Sequence, residues 1–229
     1  MKKETLEVGQ ICIENVTQRT VAVIARKGWG KSTILKMLAY SAPVDLPCYL
    51  FDPLGKIHID GFEKLRISKA TATNEELIKK IGMGFAKVKN TKIIFSFQGL
   101  LQSEISTFAD NFFAVWKPSN CLVFIDEMQE VCPERSMGLQ YSPEVERHVR
   151  HDRNENVGFI VATQRPAFTS KNILGLMDYL ILGGVTMNQD RKVVEELLTD
   201  MLGSNETDKV MAKVQTKGFL EGWTVDYIP

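Results

Sequence analysis

Two short stretches of this chain carry side chains whose type and spacing suit work on a polyphosphate. The first is Ala25-Arg26-Lys27-Gly28-Trp29-Gly30-Lys31-Ser32, followed by Thr33. Glycines at 28 and 30 let the backbone take positive φ and come close to a ligand. Backbone N–H groups of this loop, and of a helix opening at Lys31, would converge on a β-phosphate. Lys31 would neutralise β- and γ-phosphate charge, and the Ser32 hydroxyl would ligate Mg²⁺. This is the Walker A pattern with one departure: its first glycine is Ala25, the smallest substitute but a poor one wherever φ must be positive. The second stretch is Asp126-Glu127, directly after the apolar run Cys121–Ile125 and about 95 residues beyond the loop. In this Walker B arrangement Asp126 would hold Mg²⁺ and Glu127 would act as general base on the attacking water. ATP and Mg²⁺ are the ligands these residues imply.

A third apolar run, Phe159–Thr163, ends in Gln164-Arg165-Pro166. A polar residue at that strand tip can sit between the acidic pair and the γ-phosphate, which makes Gln164 a candidate sensor. Arg26, Lys27 and Trp29 decorate the loop: Arg26 and Lys27 read either as contacts to phosphate or a neighbouring subunit or as solvated loop charges, and Trp29 either as stacking on a base or as packing on a neighbour. Lys27 stands four residues before Lys31, whereas the signature lysine of partition-type ATPases stands five before, so that family is not indicated.

These residues need a scaffold that brings strand ends together. The apolar runs Thr20–Ala25, Cys48–Phe51, Lys92–Phe97, Cys121–Ile125, Phe159–Thr163 and Tyr179–Leu182 lack clean alternation, as strands buried on both faces of a parallel sheet do. Between them Lys31–Tyr40, Asn74–Lys89, Ile105–Trp116 and Asp190–Met201 read as helices, with Asn74 as a cap. The alternation predicts a doubly wound α/β domain. Leu6–Val16 reads as a strand or hairpin and Gly218–Tyr227 as a final strand pair, both extending the sheet edges. The expected division is one domain over 1–229: an N-terminal strand or hairpin over 1–18, a core over 19–190, and a C-terminal helix with edge strands over 191–229. Cys132–Arg153 has two prolines, many charges and no strand signal, and is the longest suspicious connection.

The 229 residues carry 28 Lys+Arg and 28 Asp+Glu, which excludes a globally basic nucleic-acid binder. A polyanion would have to meet a local patch. Lys64 to Lys92 holds eight basic and two acidic residues, and reads either as a solvated helix face or as such a patch. The four cysteines form no CxxC pair, and His148 and His151 have no further ligand nearby, so free thiols and no zinc site are expected. No apolar run approaches the roughly 18 residues of a membrane span, and no signal sequence is evident, which predicts a cytoplasmic protein.

Ile125-Asp-Glu127 with Ala162-Thr-Gln-Arg-Pro166 resembles the HerA/FtsK superfamily of DNA-translocating ATPases, as does Phe51-Asp-Pro-Leu-Gly55. The resemblance covers roughly residues 20–190. It implies a P-loop NTPase (RecA/ASCE-like) fold with a mostly parallel sheet flanked by helices. It also implies a ring homo-oligomer, usually a hexamer, that drives double-stranded DNA through its pore. In such rings the nucleotide sites lie between subunits, the sensor matches Gln164, and the arginine finger acting in trans matches Arg153. Arg150 and Arg147 lie one and two turns upstream if that segment is helical. Without the resemblance, Arg147–Arg153 reads as a salt-bridged surface helix.

The nearly bare motor core resembles the genome-packaging ATPases of membrane-containing icosahedral viruses. That implies a viral protein of the host cytoplasm, able to associate with the virion and to meet a capsid vertex or portal-like partner. A translocase of conjugation, repair or filamentous-phage assembly is the nearest rival. A slow ATP-dependent switch or scaffold is a rival of another class, mildly favoured by the zero net charge. The stretch 64–92 and the loop Pro133–Pro143 are the candidates for DNA contact.

Overall fold

The structure, a computed structural model, describes residues 4–9, 11–85, 91–216 and 224–227. The chain opens with β1 (Thr5–Val8) and β2 (Ile11–Glu14). β3 (Thr20–Ile24) then runs into the glycine loop and α1 (Lys31–Ser41). Next come β4 (Cys48–Asp52), β5 (Glu63–Arg66), α2 (Lys69–Ala72), α3 (Glu75–Phe85), β6 (Lys92–Ser96) and α4 (Gln102–Val115). β7 (Cys121–Ile125), α5 (Pro143–His151), β8 (Val157–Thr163), α6 (Lys171–Leu174) and β9 (Tyr179–Leu182) follow. α7 (Asn188–Leu202), α8 (Ser204–Thr216) and β10 (Thr224–Tyr227) complete the order.

Seven strands form a parallel sheet in the order β9-β3-β8-β7-β4-β6-β5, and β10 adds antiparallel to the outer edge of β9. Every residue of β3, β4, β7, β8 and β9 is buried, which is why their sequences show no polar alternation. Alternation survives in where the side chains go. Val21 and Val23 of β3 join Ile34, Leu35 and Leu38 of α1 in one core, while Ala22 and Ile24 join the core on the other face. That second core contains an aromatic cluster in which Phe51 lies 5.5 Å from Phe113 and Phe112 lies 5.0 Å from Trp116. Aromatic pairs at such spacings add about 0.5–1.5 kcal/mol each beyond their buried area, so the sheet stands on a stiff base beneath β4 and β6.

The order places β8 between β3 and β7. Ile24 is paired with Thr163, and Ile125 with Val161, so the tips carrying the glycine loop, the acidic pair and Gln164 end at one edge.

Four features depart from the sequence-based picture. β1 and β2 form a separate two-stranded sheet rather than an extension of the large one. They bury one face only, with Leu6 and Ile13 packed into the core shared with α1, which suits a hairpin laid on a helix. β5 was not expected: its four residues are all exposed, and pairing with β6 alone makes them a strand. The stretch 64–92 is therefore no single helix face. Lys64 and Arg66 lie on β5, Lys69 pairs with Glu104, Lys79 and Lys80 pair with Glu75 and Glu76, and Lys92 donates to the Ala42 carbonyl. Lys87 and Lys89 lie outside the described residues, as does the end of the helix expected to reach Lys89. Finally, α8 follows α7 where only one C-terminal helix was expected. Of the strand pair expected over Gly218–Tyr227, β10 is present and pairs with β9, while 217–223 lie outside the described residues.

The suspicious connection after Cys132 resolves into one short 3-10 turn, Arg135–Met137, and then α5, which opens on Ser142 as cap and Pro143 at the first turn. Buried His148 packs there against Asp152 and the Phe113 carbonyl, which accounts for it without a metal. All four cysteines are free, and burial pushes the Cys48 thiol up to about 12. No helix among the described residues is long and apolar enough to cross a membrane.

Candidate active site

The glycine loop leaves β3 and turns back into α1. Gly28 (φ +84°) and Gly30 (φ +78°) occupy the left-handed region, so glycine is required at both. Ala25 is not among the positive-φ residues and is buried, its N–H donating to the Thr163 carbonyl. The missing first glycine therefore carries no backbone strain. Gly30 caps α1, which leaves the free N–H groups of the helix start, at Lys31, Ser32 and Thr33, on the cleft side.

Arg26 and Trp29 stitch the loop to the tip of β9. The Arg26 N–H donates to the Gly184 carbonyl, its guanidinium lies 4.9 Å from the Trp29 ring centre, and the indole rests on Gly184. With Val185, Thr186 and Arg191 they line a cavity of about 240 Å³ beside the phosphate cleft. Lys27 lies on the other side, in the cleft proper.

That cleft, of about 410 Å³, is lined by Lys27, Lys31, Ser32, Thr33, Glu127 and Gln164 among others. Lys31 is nearly buried, and its ammonium donates to Asp126 Oδ1 (2.7 Å) and Glu127 Oε1 (2.9 Å). Burial alone would depress the Lys31 pKa, but the two carboxylates outweigh it and hold the pKa above its ordinary value. Ser32 Oγ donates to Asp126 Oδ2 (3.1 Å). This hydroxyl and carboxylate are hard oxygen donors side by side, a set that fits a Mg²⁺ completed by phosphate oxygens and water. Glu127 sits at φ +46°, rare for a non-glycine residue, and starts the tight turn Met128–Glu130. Its second oxygen, Oε2, accepts from Gln129 Nε2 at 2.7 Å.

The structure thus brings together Lys31, Ser32, Thr33, Asp126, Glu127 and Gln164. It does not bring Arg153 or Arg150 to their own chain's cleft. Arg153 precedes β8 and pairs with Asp178, which precedes β9 and also accepts from Thr20 at the start of β3. In a parallel sheet these positions mark the edge opposite the cleft. Arg150 pairs with Glu146, and Arg147 with Glu144, so α5 is laced by ion pairs along its surface.

Other residues at the site lay within the Phe51–Gly55 and Ala162–Pro166 fragments, or beside them, without an assigned role. Leu54 and Lys56 line the cleft from the loop after β4. Fully buried Asp52 shapes that loop: its Oδ2 accepts from the Ile57 N–H (2.7 Å) and its Oδ1 has no partner. Burial pushes the Asp52 pKa up, against two backbone N–H donors and Lys64, with the charge of Asp126 adding to the rise. Gly55 (φ +67°) completes the turn, and a Cβ there would stand 2.5 Å from Gln98 Cβ. Arg165 is an anchor beside the sensor, bonded to Asp190 at 3.0 Å and lying 3.8 Å from the Phe168 ring centre.

No protein-family model matches the sequence, and no curated protein does. Solved structures do. The genome packaging NTPase B204 from Sulfolobus turreted icosahedral virus 2, in complex with sulfate, matches with a TM-score of 0.58 and 14% identity, over 92% of this chain and 96% of that one. Its complex with AMPPCP gives 0.56 and 13%, over 93% and 98%. The bacterial conjugative coupling protein TrwBΔN70 gives 0.61 and 11%, over 88% and 77%. At these identities the likeness is one of fold. The chain has the fold of a P-loop NTPase, a mostly parallel sheet flanked by helices, as these neighbours do.

Proposed function

We propose that this protein is an ATP-hydrolysing ring motor that moves double-stranded DNA, and that it packages a viral genome into a preformed capsid. The observation that carries the hydrolytic part is the convergence of Lys31, Ser32, Asp126, Glu127 and Gln164 on one cleft beside a helix N-terminus. In this reading the loop N–H groups and Lys31 hold the β- and γ-phosphates. Glu127 takes the proton of the attacking water, a role worth about 10²–10⁴ in rate. Gln164 hydrogen-bonds the water or the γ-phosphate. Mg²⁺, held by Ser32 and Asp126, would supply charge neutralisation at the phosphates.

The ring reading is supported by where two arginines lie. Arg26 lines its own chain's cleft and lies against Trp29, whereas Arg153 stands at the opposite edge of the sheet. Arg153 therefore acts, in this reading, on the site of the next subunit, with a hexamer as the ring and a capsid vertex as its partner. The match to B204, a genome packaging NTPase, over nearly its whole length supports packaging, and in this reading the motor works in the host cytoplasm. The likeness to TrwBΔN70 favours conjugative transfer as the second reading. The test is ATP turnover with and without duplex DNA across a salt series. Stimulation that fades with salt, as phosphate contacts require, supports a translocase. Slow turnover indifferent to DNA would favour a nucleotide-dependent switch and sink the motor.

A further inference from the structure

We infer that Gln129 is a positioning residue for Glu127, and that it couples this carboxylate to the strand tip that carries Gln164. The inference rests on the reading of Glu127 as the general base.

The geometry allows one hydrogen-bond assignment. Glu127 Oε2 can only accept, so the atom of Gln129 facing it at 2.7 Å is the amide nitrogen. Gln129 Oε1 is then turned towards Thr163, whose hydroxyl must donate to it at 2.7 Å. With its proton committed, Thr163 Oγ1 accepts from the Arg165 N–H (3.0 Å) and lies 2.9 Å from the Thr169 hydroxyl. Three bonds thus join Glu127 to the backbone on the far side of Gln164. Thr163 and Thr169 are fully buried, so the far half of this chain is shielded from water.

The chain is possible because of the left-handed turn at Glu127. It folds residue 129 back onto the carboxylate of residue 127, a contact between positions that on a strand share a face but stand roughly 6.6 Å apart along it. A bulky residue held at positive φ is strained, and such strain persists where the surroundings over-determine it. Here they do. The segments after β7 and β8 are zipped together: Glu134 N–H donates to the Phe168 carbonyl (2.8 Å), Ser170 N–H to the Cys132 carbonyl (3.0 Å), and Lys171 N–H to Glu134 Oε2 (3.0 Å).

The consequence concerns the loaded site. In this structure Glu127 has two partners, Lys31 on Oε1 and Gln129 on Oε2. When Lys31 turns to the phosphates, Gln129 alone sets the direction of the carboxylate. Thr163 and Gln164 are consecutive, one bonded into this chain and the other lining the cleft. A contact that shifts Gln164 shifts the hydroxyl that holds Gln129.

The test is steady-state ATP hydrolysis by full-length variants, with thermal melting as a check on folding. Gln129→Leu should lower kcat by about 10- to 100-fold, the scale of a base misplaced by about 1 Å, with KM for ATP within about two-fold. Gln129→Asn, whose shorter amide cannot span both partners, should fall likewise and serves if the leucine variant melts early. Thr163→Val should match Gln129→Leu without adding to it in the double variant, and Thr163→Ser should recover most of the loss because the hydroxyl returns. In the Glu127→Gln background, Gln129→Leu should cost nothing further, whereas a merely structural role would still lower residual turnover. Full kcat in Gln129→Leu and Gln129→Asn, additive losses with Thr163→Val, or a persisting loss in the Glu127→Gln background would each overturn the inference. If Glu127→Gln itself kept wild-type turnover, the assignment of the base would fail, and the inference with it.

Discussion

Glu127→Gln separates two roles carried by one carboxylate, and they change in opposite directions. In the resting structure Glu127 holds Lys31 at 2.9 Å, with both side chains 6% exposed. Lys31 must leave this partner to reach the phosphates, so the pair competes with nucleotide. A hydrogen bond to a charged group contributes about 1.5–3 kcal/mol. An amide oxygen in the same place keeps roughly half of that, since charge-assisted bonds are about twice as strong as neutral ones. The substitution therefore lowers the cost of freeing Lys31 by about 0.8–1.5 kcal/mol, a roughly four- to twelve-fold tighter Kd at about 1.4 kcal/mol per decade. Removing a negative charge beside a polyanion acts in the same direction, so this range is a floor. Turnover should meanwhile fall by about 10²–10⁴, the worth of a positioned base. The assay pairs an equilibrium titration with a fluorescent ATP analogue and Mg²⁺ against phosphate release by the same preparations. Unchanged or weaker affinity would refute the competition between Glu127 and phosphate for Lys31. Tight binding with retained turnover would refute the catalytic role alone.

Three further outcomes follow from particular contacts. Gly184→Ala places a Cβ 2.7 Å from Trp29 Cε2 and Cζ2, so the indole must shift and carry the phosphate loop with it. Overpacking of about 1–3 kcal/mol should weaken ATP binding by at least about five-fold and alter tryptophan fluorescence. Asp52→Asn should raise Tm at pH 7–8, because the buried carboxylate has a raised folded-state pKa, and its penalty grows as pH rises from the ordinary value to that pKa and is complete above it. The gain should vanish as pH falls towards the ordinary carboxylate value near 4, and a Tm difference independent of pH would contradict this origin. Arg153→Ala should leave ATP binding intact, cut turnover by about 10³ or more, and poison mixed assemblies at small mole fractions, whereas turnover falling only in proportion to the mutant fraction would refute action in trans.

The sequence was most legible where burial is complete. β3, β4, β7, β8 and β9 are buried on both faces, and an unbroken apolar run is the direct trace of that state. β5 left no trace, because an exposed edge strand of Glu-Lys-Leu-Arg owes its conformation to β6 and not to its own pattern. At the site, Lys31, Asp126 and Glu127 were legible because chemistry fixes both their type and their place at strand ends. Gln129 was not, because its contact depends on the left-handed turn at Glu127, and nothing in Asp-Glu-Met-Gln announces positive φ. Arg26 and Trp29 stayed unassigned for a similar reason: their partner is the carbonyl and bare Cα of Gly184, more than 150 residues away. Ala25 departs from the pattern's glycine tolerably, because this backbone does not take positive φ there.

Arg153 and Gln164 flank the same strand. β8 spans seven buried residues, roughly 23 Å at about 3.3 Å per residue, and is paired along its length with β3 and β7. Its second residue, Gly158, has no room even for a methyl group, whose carbon would lie 2.0 Å from the Val16 carbonyl oxygen. Such a strand cannot slide by part of a residue, because register is fixed by both neighbours and by burial on both faces. Under the trans reading, one end of β8 senses its own nucleotide and the other serves the next subunit's site. A signal between them then travels as a tilt of the whole sheet against the neighbouring subunit, the rigid-body class of transition, and not as a stretch or slip of the strand. The ion pair of Arg153 with Asp178 fits that division, since Asp178 also accepts from the Thr20 N–H and so ties the arginine to the first residue of the strand that ends in the phosphate loop. Arginine, glycine loop and sensor are thereby fixed to one sheet, and under the trans reading the moving part lies at the boundary between subunits.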